Sequence, residues 1–123
     1  MNQEVAGYEK FKDFMKIEDF IQFFSTTQNL SNWFTDKELS DFPFPKAARS
    51  LAGRYLIKKR IAVYLDKQNI AIEMQIPNNE LGKPELKLGD GLSKLISEFK
   101  IKKIICSISH SREWAASLTI ICL

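Results

Sequence analysis

Leu51-Ala52-Gly53-Arg54-Tyr55-Leu56-Ile57-Lys58-Lys59-Arg60 is the stretch on which the reading of this chain turns. Extended to about Lys46 on one side and Leu65 on the other, it places Ala48, Leu51, Ala52, Tyr55 and Ala62 on one stripe of a helix. At about 100° per residue, Lys59 falls inside that stripe and Lys58 at its margin. A lysine on an inward face needs an anionic partner or a route to water.

Toward the N-terminus, Thr35 followed by Glu38 is a capping-box pattern, which predicts a short helix starting at Asp36. Phe42-Pro43-Phe44-Pro45 ends it, because proline donates no hydrogen bond and restricts the residue before it. From Lys12 onward, Phe14, Ile17, Ile21 and Phe24 recur at helical spacing and predict a further amphipathic helix. It stops at Ser25-Thr26-Thr27-Gln28-Asn29, and the polar residues 1–11 read as a loose N-terminal segment.

Toward the C-terminus, Ile70, Ile72, Met74 and Ile76 alternate with Ala71, Glu73 and Gln75 and predict a half-buried strand. Pro77-Asn78-Asn79 and Gly82-Lys83-Pro84 frame a turn, and Leu86 and Leu88 mark a second strand. Leu92, Leu95, Ile96 and Phe99 predict a helix, and Ile104–Ser109 and Trp114–Leu123 two strands. Helices and antiparallel strands in this order make an α+β domain spanning 1–123, a small antiparallel sheet packed on a long helix.

The composition narrows the function. The 123 residues suit one domain, and 45% hydrophobic with 27% charged residues is a globular balance. A net charge of +3 with scattered lysines is no nucleic-acid stripe; it suits an acidic protein or a phosphorylated cofactor. Cys106 and Cys122 sit in apolar runs without a CxxC or Cys/His pattern, so they read as core residues in a reducing compartment. No apolar run reaches the ~20 residues that a membrane span needs, and no signal-peptide core is visible, so a cytoplasmic location is expected.

Four segments resemble the phosphopantetheinyl transferase superfamily, of the holo-acyl-carrier-protein synthase type. Phe34-Thr35-Asp36-Lys37-Glu38-Leu39 is similar to its F-T-x-x-E-L, and Leu51 to Lys58 to its L-A-G-R-F-x-x-K-E-A helix. Ile72-Glu73 followed by Gly82-Lys83-Pro84 is similar to its I-E…G-K-P hairpin, and Ser107 to Ala116 to its S-x-S-H ending. The four occur in the family's order over roughly Phe34 to Leu123.

The resemblance implies transfer of phosphopantetheine from coenzyme A to a serine of acyl carrier protein, in fatty acid or polyketide biosynthesis. It implies a homotrimer with sites at subunit interfaces. It also implies magnesium held by an N-terminal acid, by the Glu of K-E-A and by the coenzyme A pyrophosphate. Carried over by position, Arg54, Lys58, Lys83, Pro84 and His110 match cofactor-binding residues.

The acids depart from the pattern. Lys59 stands where the family has its metal-binding Glu. The N-terminal acid is Glu9 after Gly7-Tyr8, or Asp13 before Phe14, or is replaced by Lys16 before Ile17-Glu18-Asp19-Phe20. A protonated amine has no lone pair for magnesium, which wants oxygen ligands. Metal-dependent transfer is therefore expected to be impaired or lost, with Lys59 as the pivotal residue. In an alternative reading, Lys59 neutralises the pyrophosphate directly, and a general base comes from Glu9, Asp13, Asp19 or Glu73. A non-catalytic oligomeric interaction module is the third reading.

Overall fold

In the computed structural model, residues 7–123 are described. The chain order is β1 (Tyr8–Lys16), α1 (Ile17–Thr26), α2 (Asp36–Asp41), α3 (Ala48–Leu65), β2 (Met74–Gln75), β3 (Lys87–Leu88), α4 (Asp90–Glu98), β4 (Lys103–His110) and β5 (Trp114–Cys122). Two 3-10 turns, Leu30–Asn32 and Ala71–Glu73, lie between them.

β5 is the centre of a three-stranded antiparallel sheet in the order β1-β5-β4. It pairs with β1 from Tyr8↔Cys122 to Lys16↔Trp114, and with β4 from Lys103↔Cys122 to His110↔Ala115. Strand residues alternate between faces. Ala115, Ser117, Thr119 and Ile121 are therefore buried against α3, which packs on this face. Leu118 and Ile120 point the other way, flanked by exposed Tyr8, Phe14, Ile105 and Trp114.

α3 serves two adjoining clusters. Its first half packs Leu51, Ala52 and Tyr55 against Phe20, Phe24 and Phe34, and its second half packs Ile57, Ile61 and Leu65 against Met74, Ile76, Leu92 and Ile121. Covered on several sides, the helix buries every residue from Leu51 to Lys58. Gly53 is required at one of these positions, because a Cβ there would run into the Ile108 side chain.

The capping box formed by Thr35 and Glu38 is present and α2 starts at Asp36. Other expectations are corrected. The segment read as helical from Lys12 is strand as far as Lys16, and the helix begins at Ile17. Phe14 fits a helical spacing with Ile17, but it lies on the exposed face of β1. Tyr8–Phe11 belong to this strand rather than to a loose segment, and residues 1–6 of that segment lie outside the described ones. Within the strand expected over Ile70–Ile76, Ala71–Glu73 form a 3-10 turn. Only Met74 and Gln75 pair, with Leu88 and Lys87, and Ile72 is exposed.

Candidate functional site

The helical phase of the two central lysines is the reverse of that expected. Lys58 is fully buried and Lys59 is exposed. With the helix buried nearly all round at this level, the apolar stripe alone does not fix the phase. Gly53 against Ile108 fixes it, together with the partner that awaits Lys58 inside.

That partner is Glu38. Lys58 Nζ donates to Glu38 Oε1 at 2.5 Å and to the Trp33 carbonyl at 2.7 Å. Glu38 Oε1 also accepts from the Thr35 N–H, and Oε2 from the Ile76 N–H at 3.1 Å. One buried carboxylate thus ties α3, the α2 cap and the β2 segment together. Burial pushes the Lys58 ammonium below its ordinary pKa, while Glu38 pulls it back up. In the single chain, this group is held inside by Glu38 and Trp33 and presents no surface to solvent.

Arg54 is likewise structural. Only 3% exposed, it donates from Nε to the Ile76 carbonyl at 2.6 Å, from NH1 to the Ser50 carbonyl and from NH2 to Asn78 Oδ1 at 2.9 Å. Its guanidinium stacks 3.8 Å from the Phe42 ring centroid. Burial lowers its pKa, an effect that nearby Glu38 opposes. Through Asn78 it anchors the turn that carries Lys83 and Pro84.

Lys83, Pro84 and His110 are accessible to solvent, and Arg54 ties Asn78, which bridges to Pro84, to α3. The turn closes through Asn79 N to the Lys83 carbonyl at 2.7 Å, the Asn78↔Pro84 bridge and Gly82 at φ 77°. The Pro84 carbonyl lies against Cys106 of β4. His110, four residues further along β4, shares the inward parity of Cys106 and Ile108 and is exposed at the strand's end.

Lys59 faces elsewhere. Its Nζ lies 5.8 Å from the Tyr55 ring centroid, and it lines a groove of about 560 Å³ with Asn32, Trp33, Val63 and Asp66. Six residues beyond Gly53, it is about 120° around the helix from the side that Ile108 and β4 cover. Within one chain, Lys59 and His110 therefore do not share a pocket.

Strand parity separates Lys16 from the two N-terminal acids, and exposure separates Glu9 from Asp13. Phe11, Asp13 and Met15 are the half-buried residues of β1 and face α3, whereas Lys16 faces outward, 5.8 Å from the Trp114 ring centroid. Glu9 is exposed beside Tyr64; burial, then the Glu9 carboxylate, raises the Tyr64 pKa. Glu9 shares the parity of Asp13, opposite buried Ile121, but is exposed; Asp13 is the half-buried acid, and both of its oxygens are taken: Arg60 Nε donates to Oδ2 at 3.0 Å and NH2 to Oδ1 at 2.6 Å. Asp19 and Glu73 are exposed on α1 and before β2. Among the described residues, no three His, Cys, Asp or Glu side chains converge as metal ligands. At the two positions where the family pattern has acids, Lys59 offers no oxygen and both Asp13 oxygens are held by Arg60. Sequence reading missed Arg60, because its partner lies 47 residues away and no local pattern joins the two.

No family model matches the chain. A holo-acyl-carrier-protein synthase of Clostridium tetani is 35% identical to it over 92 residues, covering 72% of this chain and 73% of that protein. Among solved structures, the holo-acyl-carrier-protein synthase of Neisseria meningitidis matches with a TM-score of 0.77 at 23% identity, over 91% of this chain and 95% of that one. The Helicobacter pylori holo-acyl-carrier-protein synthase, in complex with coenzyme A, matches with a TM-score of 0.73 at 16% identity, over 92% and 99%. These structural likenesses establish the α+β fold. Among the described residues, no helix is long and apolar enough to cross a membrane.

Proposed function

Because the chain belongs to the holo-acyl-carrier-protein synthase family, we propose that it binds coenzyme A and an acyl carrier protein, with magnesium-dependent phosphopantetheinyl transfer impaired or lost. The observation that carries this reading is Lys59. It presents an ammonium to an open groove, directly after the buried Lys58, where the family's K-E-A pattern has a carboxylate. Lysine binds phosphate as a point charge, so the groove keeps a use for an anion while losing one for a hard cation.

Lys83, Pro84 and His110 are the proposed further contacts to the cofactor. Since they and Lys59 lie on different sides of α3, the proposed site forms where two chains meet. A homotrimer would supply such sites, and the apolar outer face of the sheet around Leu118 and Ile120 supports self-association. The net charge of +3 suits an acidic carrier protein.

The exposure of Lys59 also favours a second reading, in which its ammonium takes over the metal's charge and transfer persists without metal. Incubation with coenzyme A, magnesium and an apo carrier protein separates the two by mass spectrometry. Unmodified carrier with measurable coenzyme A binding is the expected result. Holo product at a useful rate, insensitive to EDTA, favours the second reading. Absence of coenzyme A binding would end both and leave a non-catalytic oligomeric module.

A further inference from the structure

The Asp13–Arg60 pair closes the seam between β1 and α3 with a geometry that a divalent ion would have to dismantle. Two parallel N–H···O bonds, at 3.0 and 2.6 Å, engage both carboxylate oxygens. The two side chains are only 18% and 30% exposed, and the guanidinium also sits 4.8 Å from the Phe11 ring centroid. The fork of an arginine matches a carboxylate bidentately, and its charge persists at any pH at which the protein folds. Next to Arg60 in sequence stand Lys58 and Lys59, so three consecutive cations occupy this part of α3. Of the two acids on the inward face of β1, Glu9 is exposed and Asp13 is half-buried.

We infer that Arg60 is a resident cation: it gives Asp13 the positive partner that a bound divalent ion would otherwise supply, so the chain joins β1 to α3 without metal. The proposal deepens the reading above and rests on it only for the expectation that a metal belongs here. It assigns Arg60 a positioning role: the guanidinium holds β1 against the helix that carries Lys59.

The test uses the full chain without coenzyme A, so its outcome stands apart from that of the proposed function. Mn²⁺ is the probe, followed by electron paramagnetic resonance and by thermal unfolding with Mg²⁺ or EDTA. Wild type is expected to bind no Mn²⁺ and to unfold at one temperature in all buffers. Arg60→Gln leaves Asp13 without its cation and is expected to lower Tm by about 4 °C. Its Tm then rises with added Mg²⁺, and Arg60→Lys recovers part of the loss. Stoichiometric Mn²⁺ uptake by wild type that Asp13→Asn abolishes would overturn the inference. So would an Arg60→Gln chain whose Tm equals that of wild type and ignores Mg²⁺.

Discussion

Lys58 Nζ and Glu38 Oε1 lie 2.5 Å apart with side chains 0% and 1% exposed, 20 residues apart in sequence. A buried pair of this kind adds little over a well-packed apolar pair, but breaking it leaves one charge stranded. Here the carboxylate also accepts from two backbone N–H groups, so its loss frees those donors as well. Lys58→Met is expected to cost about 3–5 kcal/mol. In the Lys58→Met/Glu38→Leu chain, the total should fall well short of the sum of the single changes. Urea unfolding of the four chains measures the coupling, and additive losses would contradict the network.

Gly53 sets two effects against each other. Helix propensity alone favours alanine by about 0.5–1 kcal/mol. Its added methyl, however, would run into Ile108 on β4, which packs directly on this position. Overpacking of that kind costs about 1–3 kcal/mol, so Gly53→Ala should destabilise. Relief of the cost in Gly53→Ala/Ile108→Ala, relative to Ile108→Ala alone, would identify that contact as the cause.

Much of this architecture was legible in local sequence. Thr35 and Glu38 announce the α2 cap because both halves of a capping box lie within four residues. β1 was not legible, because Phe14 and Ile17 satisfy a helical period as well as they satisfy a strand followed by a helix. In the candidate site, the position of Lys59 in the family pattern was readable but its direction was not. The direction depends on Ile108 and Glu38, which lie far from it in sequence. Arg54 and Lys58 are read as cofactor-binding from their positions in the family pattern, which does not show that carbonyls and a carboxylate of the same chain hold them.

Cys106 offers a pH readout. Burial pushes its thiol up from 9.0 to about 11, an effect that Arg54 partly opposes. The folded state therefore keeps a proton that the unfolded chain releases, and this contribution to stability falls away between pH 9 and about 11. Lys58 acts in the opposite sense. Its lowered pKa lets the folded state release a proton that the unfolded chain still holds, so stability rises with pH up to the ordinary lysine value. Global alkaline stability therefore mixes the two, and thiol chemistry is the cleaner measurement. In a Cys122→Ser background, alkylation of Cys106 at pH 8 should run about 100-fold slower than in the urea-unfolded chain. Equal rates would mean that the thiol is solvated.

The division of Lys59 and His110 between two sides of α3 leads to a test on mixed chains. Both side chains are exposed and make no packing contact that the core depends on, so Lys59→Ala and His110→Ala should each leave stability within about 0.5 kcal/mol of wild type. Each alone should weaken coenzyme A binding, because each would remove one half of the proposed interfacial site. When the two variants are unfolded together at equal amounts and refolded, some interfaces receive Lys59 from one chain and His110 from the next. Random association in a closed ring makes this about a quarter of the sites. Titration calorimetry should then recover tight binding at about that stoichiometry. A mixture that binds no better than the separate variants would place Lys59 and His110 in different sites, and Lys59 would lose its proposed role beside the cofactor.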